Sequence, residues 1–322
     1  CSAYLKYGTY GSLENTFWDR IYQIPAGSFA IFKNRVLKIH RWYHFDKEVK
    51  KIQKSDHEIE FIKYLLNDSV KIRFRADVPI GVNLSGGVDS STLLSIIKIL
   101  FNNTMNLKAF TFYTGDKEYD ELPWVKKMID NIKCDLIECL LLPSDVPEMT
   151  KKIMEYQDEP FGGIPTIAYS KVFKKAYENG FKVLLDGQGS DESWAGYDYY
   201  LGNSDSIIQG TKSSPFKPNA LNPEFFHLSK SDIYQQPFED ALLNKQYRDL
   251  FYTKIPRALR FNDRISMMHS IELREPFLDY RLVENVFALE KEKKIKNGIQ
   301  KWLFRELSKD TISNEILWAP KR

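Results

Sequence analysis

The stretch Ile80-Gly-Val-Asn-Leu-Ser-Gly-Gly-Val-Asp-Ser-Ser-Thr92 decides how this chain is read. An apolar run of strand character gives way to a Ser/Gly turn. An apolar helical period follows at Leu93, Leu94, Ile96, Ile97 and Leu100. Backbone N–H groups at a Gly-rich turn, aimed by a helix N-terminus, bind phosphate oxygens without any side-chain charge. The stretch lacks the lysine that completes a Walker P-loop. Asp89 is its unusual element. A carboxylate in a phosphate cradle repels its ligand unless a cation lies between them, which points to Mg²⁺.

The flanking sequence supplies a sheet around that turn. Helical periodicity precedes it, with Ile59, Ile62, Leu65, Leu66 and Val70 on one side. After it come the strand LKAFTFY (107–113), a helix in YDELPWVKKMIDNI (119–132) and the strand CDLIECLLL (134–142). Two helical patterns follow (146–156 and 166–178), then the strand FKVLLD (181–186). Strands alternating with helices predict an α/β fold, a parallel sheet flanked by helices on both faces. Ligands in such sheets sit beyond the carboxyl ends of the strands. The second turn, Gly187-Gln-Gly-Ser-Asp-Glu192, also follows a strand, so both turns can face one crevice.

The two ends of the chain read differently. Residues 1–50 read as β and loop, with a hairpin candidate around Lys33-Asn34-Arg35 in SFAIFKNRVLKIHRWY (28–43). That piece has too little apolar surface to stand alone. His40 and His44 are four apart, but on a strand such residues lie about 13 Å apart, which argues against a metal site. Residues 198–235 are rich in Asn, Ser, Pro, Gly and Lys without a sustained period, as in a long loop. Helical periods return in 238–252, 256–270 and 280–292, so the C-terminal part is expected to be mostly helical.

Composition excludes several classes. At 322 residues, 43% hydrophobic and 28% charged, the chain has ample core for one or two soluble domains. A net charge of +3, spread along the chain, argues for neither nucleic acid nor membrane as partner. No apolar run approaches the roughly 20 residues of a membrane span. Cys1, Cys134 and Cys139 form no metal or disulfide framework; the odd count suits a reducing compartment, and the cytoplasm is the expected location. An N-terminal Cys can be a nucleophile with its own amine as base. Cys1 runs instead into a Tyr/Gly/Ser-rich loop, with no strand to aim its thiol.

SGGVDSS (85–91) resembles the pyrophosphate loop of the N-type ATP pyrophosphatases, whose fold is adenine nucleotide alpha hydrolase-like. The turn at 187–192, followed by Gly196-Tyr197, resembles the matching segment of the glutamine-hydrolysing asparagine synthetase family. So do LRFNDRISMMHSIELREPFLD (259–279) and GIQKWLFRELSKDTISNEILWAPKR (298–322). The likeness runs from about Leu5 to the last residue. It implies a synthetase domain over 51–322 that uses ATP and Mg²⁺. It also implies that residues 1–50 are the C-terminal remnant of a glutaminase domain, the missing remainder of which would supply ammonia from glutamine. The family continues past residue 322, so the chain reads as lacking both ends.

Carried over by position, Asp89 and Asp191 match the Mg²⁺ ligands. Ser85, Gly86, Gly87, Ser90 and Ser91 match the pyrophosphate cradle. Asn83, Phe112 and Gly187 match contacts to adenine or ribose, with Leu84 in the same ATP-binding set. For Phe112 a buried strand aromatic is an equal reading. Lys301 and Lys321 match lysines near the reacting phosphate and acyl group, where a fixed ammonium stabilises developing negative charge. Gln188 stands where the best-known members carry Glu; an amide there can hydrogen-bond but cannot take a proton.

The resemblance implies formation of an acyl-adenylate, release of pyrophosphate, and attack by ammonia to give an amide and AMP. Aspartate is the favoured acceptor, with a sugar uronate or a ring-closing substrate as the alternative, and a homodimer is allowed. A non-catalytic ATP-binding module is a third reading, against which Asp89, Asp191, Lys301 and Lys321 argue. Glu272, Arg274 and Asp279 read as an ion-pair network or as a substrate contact. Asp158-Glu159 and Tyr119-Asp120-Glu121 read as crevice residues or as carboxylates at helix N-termini.

Overall fold

A computed structural model describes residues 1–7, 14–101, 107–116, 120–202, 221–228 and 233–320. The chain divides into two compact units, Cys1–Gln53 with Asp198–Arg257, and Lys54–Tyr197 with Ala258–Arg322.

In the first unit, strands β1 (Ser28–Lys33) and β2 (Val36–Arg41) form an antiparallel hairpin in the register Lys33↔Val36. Its turn residues Asn34 and Arg35 have φ of 53° and 61°, the left-handed pair that a two-residue hairpin turn requires. His40 stacks on Phe29, with ring centroids 5.3 Å apart. Further along, Tyr199 and Tyr200 both donate to Asp249 Oδ2, at 2.7 and 2.8 Å. Asp249 opens a π-helical turn, Asp249–Thr253, inside the helical period read at 238–252.

The second unit is built on a five-stranded sheet in the order β5-β4-β3-β6-β7. Its strands are β3 (Ile80–Asn83), β4 (Lys108–Tyr113), β5 (Asp135–Leu140), β6 (Val183–Leu185) and β7 (Glu272–Arg274), all parallel. The pleat sends alternate residues to opposite faces. Ile80, Val82, Ala109, Val183 and Leu185 join the core that packs the helices Glu58–Arg73, Val88–Phe101 and Trp302–Ser308. Phe110 and Leu184 join the opposite core, with Ile167, Val172 and Phe173 of the Ile164–Glu178 helix. Gly81 leaves that face open: an added Cβ would lie 2.6 Å from Leu184 and 2.7 Å from Phe110. Helices on both faces of a parallel sheet are the α/β arrangement read from the sequence.

Residues Ser2–Tyr7 and Phe45–Lys51 are helical where β and loop were expected; the second helix buries Phe45 and Val49, four apart on one face. Two further details differ from the periodicity. Ile59 is exposed, and the helix it opens buries Ile62, Leu65, Leu66 and Val70. The strand β7 was not legible, because it is three residues long and lies between the helical periods read at 256–270 and 280–292. It forms because the edge of β6 takes its hydrogen bonds: Glu272 N–H donates to Lys182 O at 2.8 Å, and Asp186 N–H to Arg274 O at 3.0 Å.

Candidate active site

Two turns meet beyond the carboxyl ends of β3 and β6. Around the first, Ser85 N–H donates to Ser90 Oγ at 3.1 Å, and the Ser85 and Ser90 hydroxyls are 3.1 Å apart. Gly86 is required twice. Its φ is 75°, and a Cβ there would lie 2.8 Å from the Val125 nitrogen. The second turn presses on the first at Gly187, where a Cβ would lie 3.1 Å from Ser90 N and 3.3 Å from Asp89 Cβ.

Lys301 ties the turns together. Its Nζ lies 2.7 Å from both Asp89 oxygens, 2.6 Å from Asp191 Oδ1 and 3.0 Å from Ser190 Oγ. The residue is buried and starts the Trp302–Ser308 helix in a left-handed conformation, φ 53°. Burial pushes its pKa down, but the charges of Asp191 and Asp89 outweigh that and hold it above the ordinary lysine value. The ammonium is therefore fixed between two carboxylates and stays charged. Gly196 makes room for the arrangement, since a Cβ there would collide with Asp191 Oδ1 and Lys301 Cε.

Two cavities open on this junction. One is lined by Asn83, Leu84, Ser85, Phe112, Tyr169 and Asp186. The other is lined by the Ser85–Asp89 turn, Asp191, Gly196, Lys301 and Arg305. Ser85 lines both. An aromatic compartment joined to a charged one through a Ser/Gly turn has the chemistry of a site for a nucleoside and its phosphates. Arg305 is held in the charged compartment by carbonyls: Nε donates to Gln300 O at 3.0 Å, and Nη1 to Leu317 O and Ala319 O.

Among the described residues, no group of three or more His, Cys, Asp and Glu could hold a metal. Asp89 and Asp191 nevertheless converge on one point, with Lys301 Nζ between them. Two hard carboxylate donors suit Mg²⁺, which completes its shell with phosphate oxygens and water.

The expected residues fall unevenly on this site. Asn83, Leu84, Ser85, Gly86, Gly87, Asp89, Ser90, Phe112, Asp191 and Lys301 line one cavity or both. Ser91 is fully buried and lines neither. Gly187 and Gln188 also line neither; Gly187 spaces the turns, and Gln188 is half-buried. Lys321, Tyr119 and most of the 198–235 loop lie outside the described residues. Asp120 accepts from Thr114 N–H at 2.6 Å and Gly115 N–H at 2.7 Å, and lines the first cavity with Glu121. Glu159 pairs with Arg260 at 2.6 Å, while Glu272 pairs with Arg274 at 2.7 Å. Asp279 pairs with Arg73 at 2.8 Å and Arg281 at 2.9 Å, the network reading of that segment.

Asp186, Tyr169 and Arg305 were not singled out from the sequence. Asp186 could have been, as an acid standing directly after a strand. Arg305 could have been too, because it follows Lys301 by four residues on one helix face.

Residues 62–322 match the family model described as asparagine synthase. The chain is 30% identical to the glutamine-hydrolysing asparagine synthetase of Homo sapiens over 277 residues, covering 82% of this chain and 43% of that protein. It is 24% identical to asparagine synthetase 1 of Bacillus subtilis over 323 residues, covering 85% of this chain and 50% of the relative. With asparagine synthetase 3 of that organism it shares 25% over 327 residues, covering 92% and 53%. The chain thus spans about half the length of these relatives. No helix among the described residues is long and apolar enough to cross a membrane.

Proposed function

This chain belongs to the asparagine synthase family, and we propose that its crevice binds Mg-ATP and adenylates a carboxylate, which ammonia then converts to an amide. The observation that carries this reading is the Lys301 ammonium fixed at 2.6–2.7 Å from Asp89 and Asp191, beside a Gly-rich turn. A merely structural turn gains nothing from a buried lysine held between two half-buried acids, since burying ion pairs is seldom stabilising in itself.

Asp89 and Asp191 would hold the Mg²⁺, which when bound neutralises the charge on the phosphates. The Ser85–Gly87 backbone and the Ser85 and Ser90 hydroxyls would cradle the leaving pyrophosphate. Lys301 would offer its charge to the phosphates, where negative charge grows as the bond between the α and β phosphates breaks. Phe112 and Tyr169 would enclose the nucleoside, with Asn83 meeting it through its backbone. Lys321 would serve the reacting phosphate or acyl group. A glutaminase domain, of which residues 1–50 would be the last strands, would supply the ammonia. Aspartate is the acceptor favoured by the family, and a sugar uronate or a ring-closing carboxylate is the second reading, which the neutral Gln188 keeps open.

Calorimetry of Asp89→Ala should show Mg-ATP binding weakened at least tenfold; unchanged affinity would sink the metal role. Pyrophosphate release with free ammonia, Mg-ATP and either aspartate or a panel of uronates separates the acceptors. Turnover with a uronate and none with aspartate would replace the first acceptor by the second.

A further inference from the structure

Asn83, Asp186 and Glu275 stand in one row. Val82 pairs with Leu185 and Leu185 with Arg274, so the next residues on the three parallel strands are neighbours across the sheet. They share the face of Leu184 and Phe110, because the pleat repeats every two residues. Adjacent strands lie about 4.8 Å apart, which brings the two carboxylates side by side. Asn83 Nδ2 donates to Asp186 Oδ2 at 3.2 Å, as the row requires.

The row is rich in acceptors and poor in donors. Asn83 is 5% exposed and its Oδ1 has no hydrogen-bond partner; neither Glu275 oxygen meets a side-chain donor, and both are buried. The nearby cations are committed elsewhere. Lys301 is held by Asp89 and Asp191. Arg274 bonds Glu272 and the carbonyls of Arg73 and Arg75. Arg73 and Arg281 pair with Asp279.

The titrating groups facing the row agree with this. Burial, with the Asp186 charge beside it, pushes Glu275 well above the carboxylate range, against the Gln188 backbone N–H. Burial raises Asp186 too; Asn83 and the Gly187 N–H oppose it, and the Asp89 charge adds to it. Tyr169, facing from the Ile164–Glu178 helix, is raised by the Asp186 charge, by burial, and by Glu275 and Glu121. Each is driven toward its protonated form, the condition of a pocket that lacks a cation.

We propose that Asn83, Asp186 and Glu275 form a site for a primary ammonium group. The inference rests on the amide-forming reading above, in which such a group has two sources: free ammonium as the nitrogen donor, or an amino group on the acceptor. Either brings at least three N–H donors and one positive charge to a row in which Asn83 Oδ1 and both Glu275 oxygens meet no side-chain donor. It also gives a role to a carboxylate beside Gln188, which has none of its own.

The test uses the protein as it stands, in two binding arms without turnover. In the first, ¹⁵N-ammonium chloride is titrated and followed by NMR, against potassium chloride at equal ionic strength. In the second, aspartate is compared with succinate, which lacks the amino group, by calorimetry with and without Mg-ATP. Saturable ammonium binding assigns the site to the nitrogen donor, and at least a tenfold preference for aspartate assigns it to the acceptor. In either case Glu275→Gln should reduce the effect at least tenfold while Mg-ATP still binds. On the unaltered protein, methylammonium should compete and tetramethylammonium, which has no N–H, should not; this comparison needs no variant to fold. Absence of both effects, or their survival in Glu275→Gln, overturns the proposal. Failure of the nucleotide reading appears separately, as absent Mg-ATP binding, and leaves the ammonium arm readable.

Discussion

Lys301 passes so close to Gly196 that a methyl group on Gly196 would collide with Lys301 Cε. The same methyl would strike Asp191, so one glycine sets the spacing of the whole charged junction. Gly196→Ala should therefore displace Lys301 or Asp191. Overpacking of this kind costs about 1–3 kcal/mol. The expected result is a lowered melting temperature together with Mg-ATP binding weakened at least tenfold by calorimetry. A stable variant with unchanged affinity would show that the junction tolerates movement.

Lys301 neutralises two acids that would otherwise repel each other. Lys301→Met should leave Asp89 and Asp191 facing across a partly buried gap, where a divalent cation is the natural replacement for the ammonium. The melting temperature of this variant should rise clearly with millimolar Mg²⁺ in the absence of nucleotide, and that of the parent protein much less. An equal response in both would mean that the carboxylates do not form a cation site.

Gln188→Glu tests whether the amide at that position limits the reaction. A general base contributes about 10²–10⁴-fold where one is needed. If proton removal is handled elsewhere, the substitution should change ammonia-dependent pyrophosphate release with aspartate by much less than that. If aspartate is not the acceptor, Gln188→Glu should not create aspartate-dependent release. An increase of 10²-fold or more would show that the parent protein lacks the base it needs.

Asp279 gives the fold a defined acid response. Burial would raise its pKa, but hydrogen bonds from Arg281 and Arg73 and the Arg73 charge bring it down to about 2. It also caps the Tyr280–Ala288 helix through Arg281 N–H at 3.0 Å. The folded value lies below the unfolded one of about 3.9. Its stabilisation is therefore complete above pH 4 and lost as the pH falls toward 2. Asp279→Asn should destabilise the protein at neutral pH by on the order of 2 kcal/mol. It should also flatten the fall in urea midpoint between pH 4 and 2, and an unchanged slope there would remove the assignment.

Much of this was legible in the chain. Each strand–turn–helix step from Ile80 to Glu178 is punctuated locally, by apolar period, Gly and Pro, and those signals act within a few residues. The proposed phosphate site with a cation was read from the Ser/Gly turn and Asp89 for the same reason: its residues are contiguous. The sequence motifs also placed Asp191 and Lys301 beside it through their resemblance to a family.

Tertiary structure alone decided the remainder. Glu272–Arg274 became a strand because an unpaired edge of β6 was there to take its hydrogen bonds, with no strand signal of its own beyond three residues. Ile59 stayed in water because neighbouring elements, and not the helix's own stripe, set where the core ends. Lys301 meets Asp89 across 212 positions, and Asp186 meets Glu275 only because two strands share a register. Local sequence fixes which way a backbone turns. Which distant charges come to rest together depends on packing that no short stretch contains.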